Sequence, residues 1–151
     1  MNSRLPWASL AILGCAPCLA ASACVGATEP LAVVKWEADL IGTDGLADPP
    51  SGSVAMVIGE FETQVGISVR DVPAHATLAW DVKAGTCATP GDRVGAASVF
   101  VPIQVSDSGT GAAEATIARR VATDGPYAGF LYEDAAGPVG VLACADLERQ
   151  D

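Results

Sequence analysis

The sequence predicts an all-β fold, a Greek-key β-sandwich or flattened barrel of about eight short antiparallel strands. The 16 Gly and 10 Pro residues in a chain of 151 supply many turns. The segments between these turns alternate apolar and polar residues, as strands with one wet face do, and no segment has a sustained helical period. Hydrophobic residues make up 50% of the chain and aromatic residues only 5%, so aliphatic side chains must fill most of the core.

The first 23 residues have the pattern of an export signal. Arg4 gives a positive start, residues 8–19 are mostly apolar, and residues 20–23 are small. The apolar run is too short and interrupted to predict a membrane-spanning helix. We therefore expect an export signal over residues 1–23 and a short linker over residues 24–30.

A lipid anchor is predicted at the end of this signal. Ala21-Ser22-Ala23-Cys24 resembles a bacterial lipobox, in which the Cys is acylated and becomes the first residue of the mature protein. Cleavage there leaves an even number of further cysteines, Cys87 and Cys144. Several acyl chains on Cys24 would hold the domain stably on a membrane. Val25 follows, with no Asp to signal retention in the inner membrane, so we expect the outer membrane.

Two alternatives to acylation of Cys24 stay open. Ile12-Leu13-Gly14-Cys15 is a second lipobox-like segment, although acylation of Cys15 would leave an apolar stretch after the cut. Ordinary signal cleavage without a lipid, after Ala23 or Ala27, is the other.

The predicted strands follow in order, with turn residues between them. In the first strand, residues 31–41, Trp36 lies on an apolar face, whereas Lys35, Glu37 and Asp39 lie on the opposite, charged face. Residues 87–95 are predicted to be a turn, and residues 112–120 also fit a helix. The domain is predicted to span residues 31–147, with a polar tail at residues 148–151. The later strands are predicted at residues 53–59, 62–72, 77–84, 96–105, 114–121, 127–133 and 139–144.

Two segments carry a family resemblance. Trp80-Asp81-Val82-Lys83-Ala84-Gly85-Thr86-Cys87 and, later, Tyr127 with Leu142-Ala143-Cys144-Ala145-Asp146-Leu147 resemble the copper/zinc superoxide dismutase-like domain of bacterial envelope proteins. The resemblance implies a Greek-key sandwich. It also implies that Cys87 and Cys144 pair in a disulfide that ties a long loop to the last strand, and an exported protein meets the oxidising compartment that such a bond needs.

The metal ligands of that family are missing from this chain. Active members begin the first segment with His-x-His, where this sequence has Trp80 and Val82. The chain contains one histidine, His75, whereas copper redox chemistry of this kind needs several imidazoles. We therefore expect no superoxide dismutase activity and no cofactor. The other departures from the family pattern are Leu131 and Tyr132 near a third copper ligand, Asp92 alone in the zinc loop, and Val141 in place of an anion-guiding Arg.

The remaining candidate residues have ordinary structural interpretations. We expect His75 to be exposed in a turn, with a His75–Asp71 metal site as a less favoured alternative. Asp44 and Asp48 offer oxygen ligands for Ca²⁺ without a complete ligand spacing. Other expectations are that Glu133 and Asp134 form a solvated hairpin end rather than an acid pair, and that Trp36 and Trp80 lie in the core.

Charge restricts the partners. Acidic residues outnumber basic ones by 18 to 8, and loss of residues 1–23 removes one basic and no acidic residue, so the formal charge moves from −10 to about −11. Such a surface repels nucleic acid. The sequence favours a non-catalytic binding or structural module, anchored by lipid to the outer membrane, facing the periplasm and contacting an envelope partner whose identity the sequence does not give. The alternatives are a protein with a carboxylate-based metal or catalytic site, and a small-ligand binder with an apolar cavity.

Overall fold

The computed structural model describes residues 31–133 and 140–151. These residues form nine strands and one 3₁₀ turn at Ala97–Val99, and none of their helical segments is long and apolar enough to cross a membrane. The strands are β1 (Val34–Gly42), β2 (Ser51–Ile58), β3 (Thr63–Arg70), β4 (Thr77–Gly85), β5 (Pro90–Arg93), β6 (Ile103–Gln104), β7 (Gly111–Ile117), β8 (Tyr127–Tyr132) and β9 (Val141–Gln150).

All paired strands are antiparallel, in the order β5-β4-β8-β9-β1-β2-β3-β7, and β6 also pairs with β4. The sheet curls into a half-barrel. The chain crosses from β3 to β4 and from β7 to β8, which are not neighbours in the sheet. The predicted all-β, antiparallel, flattened-barrel fold is confirmed.

The core lies on the concave face of this curled sheet. In β1 Val34, Trp36 and Leu40 are buried, while Lys35 and Asp39 are exposed, as the alternation predicts. Valine, isoleucine and methionine side chains from β2 and β3 fill the centre, with Met56 opposite Val65 in the register. The aliphatic core expected from the composition is present.

The two predicted core tryptophans are buried, and each packs edge-to-face on another aromatic ring. The Trp36 ring centroid is 5.5 Å from that of Tyr127, and the Trp80 centroid is 5.1 Å from that of Phe100. Trp80 Nε1 also donates a 2.8 Å hydrogen bond to the Val101 carbonyl. Trp80 therefore fastens the segment after the 3₁₀ turn to the centre of the sheet.

The segment 96–105 is not the single strand that the sequence predicted. It contains the 3₁₀ turn and only two strand residues, Ile103 and Gln104. The reason is a cluster of contacts across the open side of the half-barrel: Phe100 inserts against Trp80, Trp80 binds the Val101 carbonyl, and Pro102 has no N–H for a ladder. This segment covers core side chains instead of extending the sheet.

Three other predicted boundaries also change. Residues 90–93, predicted to be part of a turn, form β5 on the edge of β4. The helix alternative for residues 112–120 is wrong, because β7 pairs with β3 from Gly111 to Ile117. The predicted tail at residues 148–151 is also wrong for most of its length, because β9 continues to Gln150, which pairs with Lys35 of β1.

Candidate functional site

Strand β4 divides its side chains between the two faces of the sheet. Trp80 is 2% exposed and Val82 is 0% exposed, so the two residues that the resemblance aligns with copper ligands lie in the core. The alternation places Asp81 and Lys83 on the convex face. That face, over β4, β8, β9 and β1, contains the disulfide, a buried polar cluster and an acidic trough.

The structure pairs Cys87 with Cys144, as the family resemblance implies. Their Cα atoms are 6.0 Å apart and 57 residues separate them. Gly85 makes the turn that leads β4 into Cys87: its φ of 99° suits glycine, and a Cβ atom there would collide with the Thr89 carbonyl oxygen. The Cys87 backbone N–H then donates a 2.6 Å hydrogen bond to Asp146 Oδ1 on β9. The disulfide and this hydrogen bond together fix the end of β4 over β9.

Beside the disulfide, Asp81 lies buried in a polar cluster that also contains Arg93, Tyr132 and Lys83. Asp81 is 1% exposed. Arg93 Nε donates to its Oδ2 at 2.8 Å, and the Tyr132 hydroxyl donates to its Oδ1 at 3.0 Å. Each carboxylate oxygen therefore has a donor, which a buried charge requires. Burial raises the pKa of Tyr132 above its ordinary value, and the charge of Asp81 and the hydrogen bond to it raise that pKa further.

Lys83 covers two aromatic rings of this cluster. Its Nζ lies 5.0 Å from the Phe130 ring centroid and 5.6 Å from that of Tyr132, and the two rings are stacked at 6.2 Å. These are cation–π distances. The cluster joins β4, β5 and β8, and we interpret it as the support of the convex face. Sequence reasoning missed it, although a charged Asp81 between Trp80 and Val82 in an apolar strand was an available signal.

The acidic trough lies next to the disulfide, between β1 and β9. It is an open groove with a volume of about 780 Å³. None of the described residues that line it is basic. The lining comprises Glu37, Ala38, Asp39, Ile41, Gly42, Thr43, Asp44, Cys87, Cys144, Asp146 and Glu148.

The register of β1 and β9 sets carboxylates against one another in the trough. Glu37 is directly opposite Glu148, and Asp39 and Asp146 line the same trough. The ladder of paired residues is interrupted between Glu37 and Ile41 and resumes at the Ile41–Cys144 pair. Like charges directly opposite each other on antiparallel strands are destabilising, so this arrangement has a cost that packing does not explain.

An apolar side chain stands among these carboxylates. Ile41 is 74% exposed and lines the trough beside the disulfide. The trough is bounded at one end by Thr43, whose hydroxyl donates to the carbonyl oxygens of Val141 and Leu142 at 3.1 and 3.2 Å. An acidic groove with an exposed aliphatic side chain can attract a basic segment and offer it apolar contact.

The structure does not bring the predicted metal candidates together. Oxygen Oδ1 of Asp107, not Asp71, lies 3.4 Å from Nδ1 of the exposed His75. Asp44 lines the trough, whereas Asp48 lines a different cavity, so the Ca²⁺ pair is not formed. In residues 31–133 and 140–151, no group of three or more His, Cys, Asp or Glu side chains is arranged to hold a metal ion.

The remaining predicted positions are placed as follows. Leu131 and Tyr132, near the expected third copper ligand, are buried, and Asp92 is exposed on β5. Val141 is exposed at the start of β9. The candidate lipidation sites Cys24 and Cys15, and Asp134 of the imagined acid pair, lie outside the described residues.

Comparison with known proteins adds no family. The chain matches no protein-family model, and no curated protein matches it.

Proposed function

We propose that this chain is an exported, non-catalytic domain resembling superoxide dismutases, and that it binds a basic segment of an envelope partner in the acidic trough. One observation carries the proposal: Glu37 faces Glu148 across β1 and β9, in a trough that Asp39, Asp146 and the exposed Ile41 also line. A protein that needed only solubility could distribute these charges without opposing them. A cationic partner would relieve the repulsion, and that gain would contribute to binding.

The scaffold supports a binding role. The Cys87–Cys144 disulfide is in the wall of the trough, so less ordering of that wall is needed when a partner binds. The net charge of −10 would speed the approach of a basic partner and repel nucleic acid. The proposed partner is therefore a protein segment rich in Lys or Arg with at least one apolar side chain for Ile41.

Copper catalysis is not part of the proposed function, because the chain has too few histidines. A copper site of the superoxide dismutase kind needs several imidazoles, and the whole sequence has one histidine. Trp80 and Val82 fill the core where the resemblance places two ligands. A carboxylate-based metal site is the competing function, and stoichiometric metal retained by the purified protein after dialysis would support it against ours.

The proposed location is the periplasmic face of the outer membrane, with a lipid on Cys24. The support comes from sequence alone: the export signal over residues 1–23, the lipobox-like Ala21-Ser22-Ala23-Cys24 and the absence of Asp at position 25. A lipid anchor would confine the domain near the membrane and raise the effective concentration of membrane-bound partners.

Crosslinking in native envelopes tests the binding role. A photoreactive aromatic residue replaces Ile41, which is 74% exposed and lines the trough, and the captured protein is identified by mass spectrometry. We expect one partner, captured less at high salt and less by the Glu37→Gln/Glu148→Gln variant. The matched control Glu62→Gln/Glu114→Gln removes two charges elsewhere on the surface. Equal capture by both variants, unaffected by salt, would overturn the trough as the binding surface.

A further inference from the structure

A second cavity lies at one end of the half-barrel, away from the centre of the trough. It has a volume of about 210 Å³ and reaches the core through Leu78, which is almost completely buried, and Val72. Leu46 and Pro50 of the β1–β2 connection and Leu142 of β9 also line it. We call it the barrel-end pocket. Its apolar lining is typical of sites that bury the body of a small organic molecule.

The polar residues of this pocket are all acids. Asp48, Asp71 and Glu133 line it, and none of its described lining residues is basic. Asp48 and Asp71 also line an adjoining recess of about 420 Å³, together with Val72 and Pro73. Asp48 and Asp71 thus lie where the pocket meets the recess.

Asp71 is held in place at this entrance. The Ser51 hydroxyl donates a 2.7 Å hydrogen bond to its Oδ2, and the residue has a φ of 59°, a region that Asp and Asn enter more readily than most residues. Oxygen Oδ1 has no part in that hydrogen bond and can accept from a ligand. Glu133 is close to Gly140 on the other side, since a Cβ atom at Gly140 would lie 3.0 Å from the Glu133 carboxylate.

The size of the pocket limits its occupant. A cavity of about 150 Å³ is enough to hold benzene, so 210 Å³ admits a six-membered ring or a short branched chain with one polar head. Asp48, Asp71 and Glu133 are exposed carboxylates at this pocket, so they would repel an anion and attract a cation. A cation with an apolar body can place its charge near the acidic residues and its body against the apolar lining.

We propose that the barrel-end pocket binds a small organic cation, with its ammonium group between Asp71 and Glu133 and its apolar body against Val72, Leu78 and Leu142. This site is separate from the trough and does not depend on the function proposed above. It gives the protein a small-molecule ligand as well as a macromolecular partner.

Three ring compounds of matched size provide the probes: cyclohexylammonium, cyclohexanol and cyclohexanecarboxylate. Their binding to the purified full chain is followed by ligand-observed NMR titration. We expect the ammonium compound to bind most tightly, the alcohol more weakly and the carboxylate most weakly. Ion pairs between solvent-exposed groups contribute little binding energy. The Asp71→Asn/Glu133→Gln variant should therefore weaken ammonium binding by roughly three- to tenfold and leave the affinity for the alcohol unchanged.

The choice of variants separates binding from folding. Asn accepts the Ser51 hydrogen bond and tolerates the positive φ, so Asp71→Asn keeps the loop. Ala76 also lines the pocket, and Ala76→Leu should fill it and abolish binding of both the ammonium compound and the alcohol. The surface control Glu62→Gln/Glu114→Gln should change nothing.

Three results would overturn the site. One is equal binding of all three probes, and another is an equal effect of the pocket and surface charge variants on ammonium binding. The third is that Ala76→Leu, with an unchanged unfolding midpoint, still binds the probes as tightly as the wild-type protein. If Glu37→Gln/Glu148→Gln is instead the variant that weakens ammonium binding, the cation occupies the trough and the barrel-end assignment is wrong. Failure of partner capture at the trough has no bearing on these titrations.

Discussion

The Tyr132 hydroxyl donates a 3.0 Å hydrogen bond to Oδ1 of Asp81 on the neighbouring strand, and Asp81 is 1% exposed. Asp81 and Tyr132 are 51 residues apart in the chain. Their contact joins β4 to β8 on the convex face, and Arg93 completes it from β5.

Removal of the Tyr132 hydroxyl should destabilise the fold. In Tyr132→Phe the buried Oδ1 of Asp81 loses its donor, and a buried acceptor without a partner costs about 1–3 kcal/mol. Urea unfolding gives the change in free energy. In an Asp81→Asn background, Tyr132→Phe should lower the free energy of unfolding by less, because the acceptor left without a donor is then a neutral amide. Equal losses in the two backgrounds would contradict the coupling between Asp81 and Tyr132.

Both tyrosines of the chain should resist ionisation. Burial is the main cause that raises the pKa of Tyr127 and that of Tyr132 above the ordinary value of 10.0, with Asp124 and Asp81 respectively adding to it. The folded state holds these protons more tightly than the unfolded state does, so this stabilising contribution is complete below pH 10 and is lost as the pH rises above it. Absorbance titration should show phenolate forming at a higher pH in native than in urea-unfolded protein, and coincident curves would contradict this.

Loss of the disulfide should cost several kcal/mol. A cross-link between residues 57 positions apart contributes about 4 kcal/mol in the chain-entropy description. We expect Cys87→Ser/Cys144→Ser to lower the free energy of unfolding by about that amount. Mass spectrometry of the oxidised wild-type protein should recover the Cys87–Cys144 peptide pair, and free thiols at both positions would refute it.

Neutralising one member of the Glu37–Glu148 pair should stabilise the protein. The two carboxylates are directly opposite each other, and relief of such a like-charge pair gains about 0.2–1 kcal/mol. Urea unfolding of Glu148→Gln measures this gain. Glu114 is opposite Gly66 and faces no such partner, so Glu114→Gln should leave the stability nearly unchanged. If Glu148→Gln stabilises the protein and also weakens capture of the partner at the trough, the Glu37–Glu148 repulsion is retained for binding.

Substitution of Cys24 should abolish the lipid anchor. Acyl transfer needs the thiol, so Cys24→Ala should end metabolic labelling with fatty acid and release the protein from the membrane fraction. Cys15→Ala serves as the matched control and should keep the label. Labelling that persists in Cys24→Ala and disappears in Cys15→Ala would assign the lipid to Cys15.

The sequence predicted those parts of the fold that depend on local pattern. Alternation identified the buried face of β1 around Trp36, and turn residues separated most strands. It failed at residues 96–105, where contacts with Trp80 from a distant strand decide the backbone. It also ended the last strand too early, because the polar residues of β9 near Gln150 are in the sheet only through pairing with β1.

The candidate site was less predictable than the fold. Cys87 and Cys144 could be paired through the family resemblance, but the contact of Asp81 with Arg93 and Tyr132 depends on the register of three strands. The trough likewise depends on Glu37 of β1 meeting Glu148 of β9, two residues more than a hundred positions apart. Such cross-strand pairs are fixed by the whole sheet and have no local signature.

The place of β9 in the sheet also constrains how the protein is made. β9 lies between β8 and β1, and it is the strand through which β4, β5 and β8 join β1, β2, β3 and β7. A ribosome must therefore synthesise residues 141–150 before the sheet can become continuous. Until then the nascent chain contains two incomplete sheets with unpaired edges, which pair slowly because their contacts are long-range. The pairing of β9 with β8 and β1 is therefore a late step in the formation of this sheet.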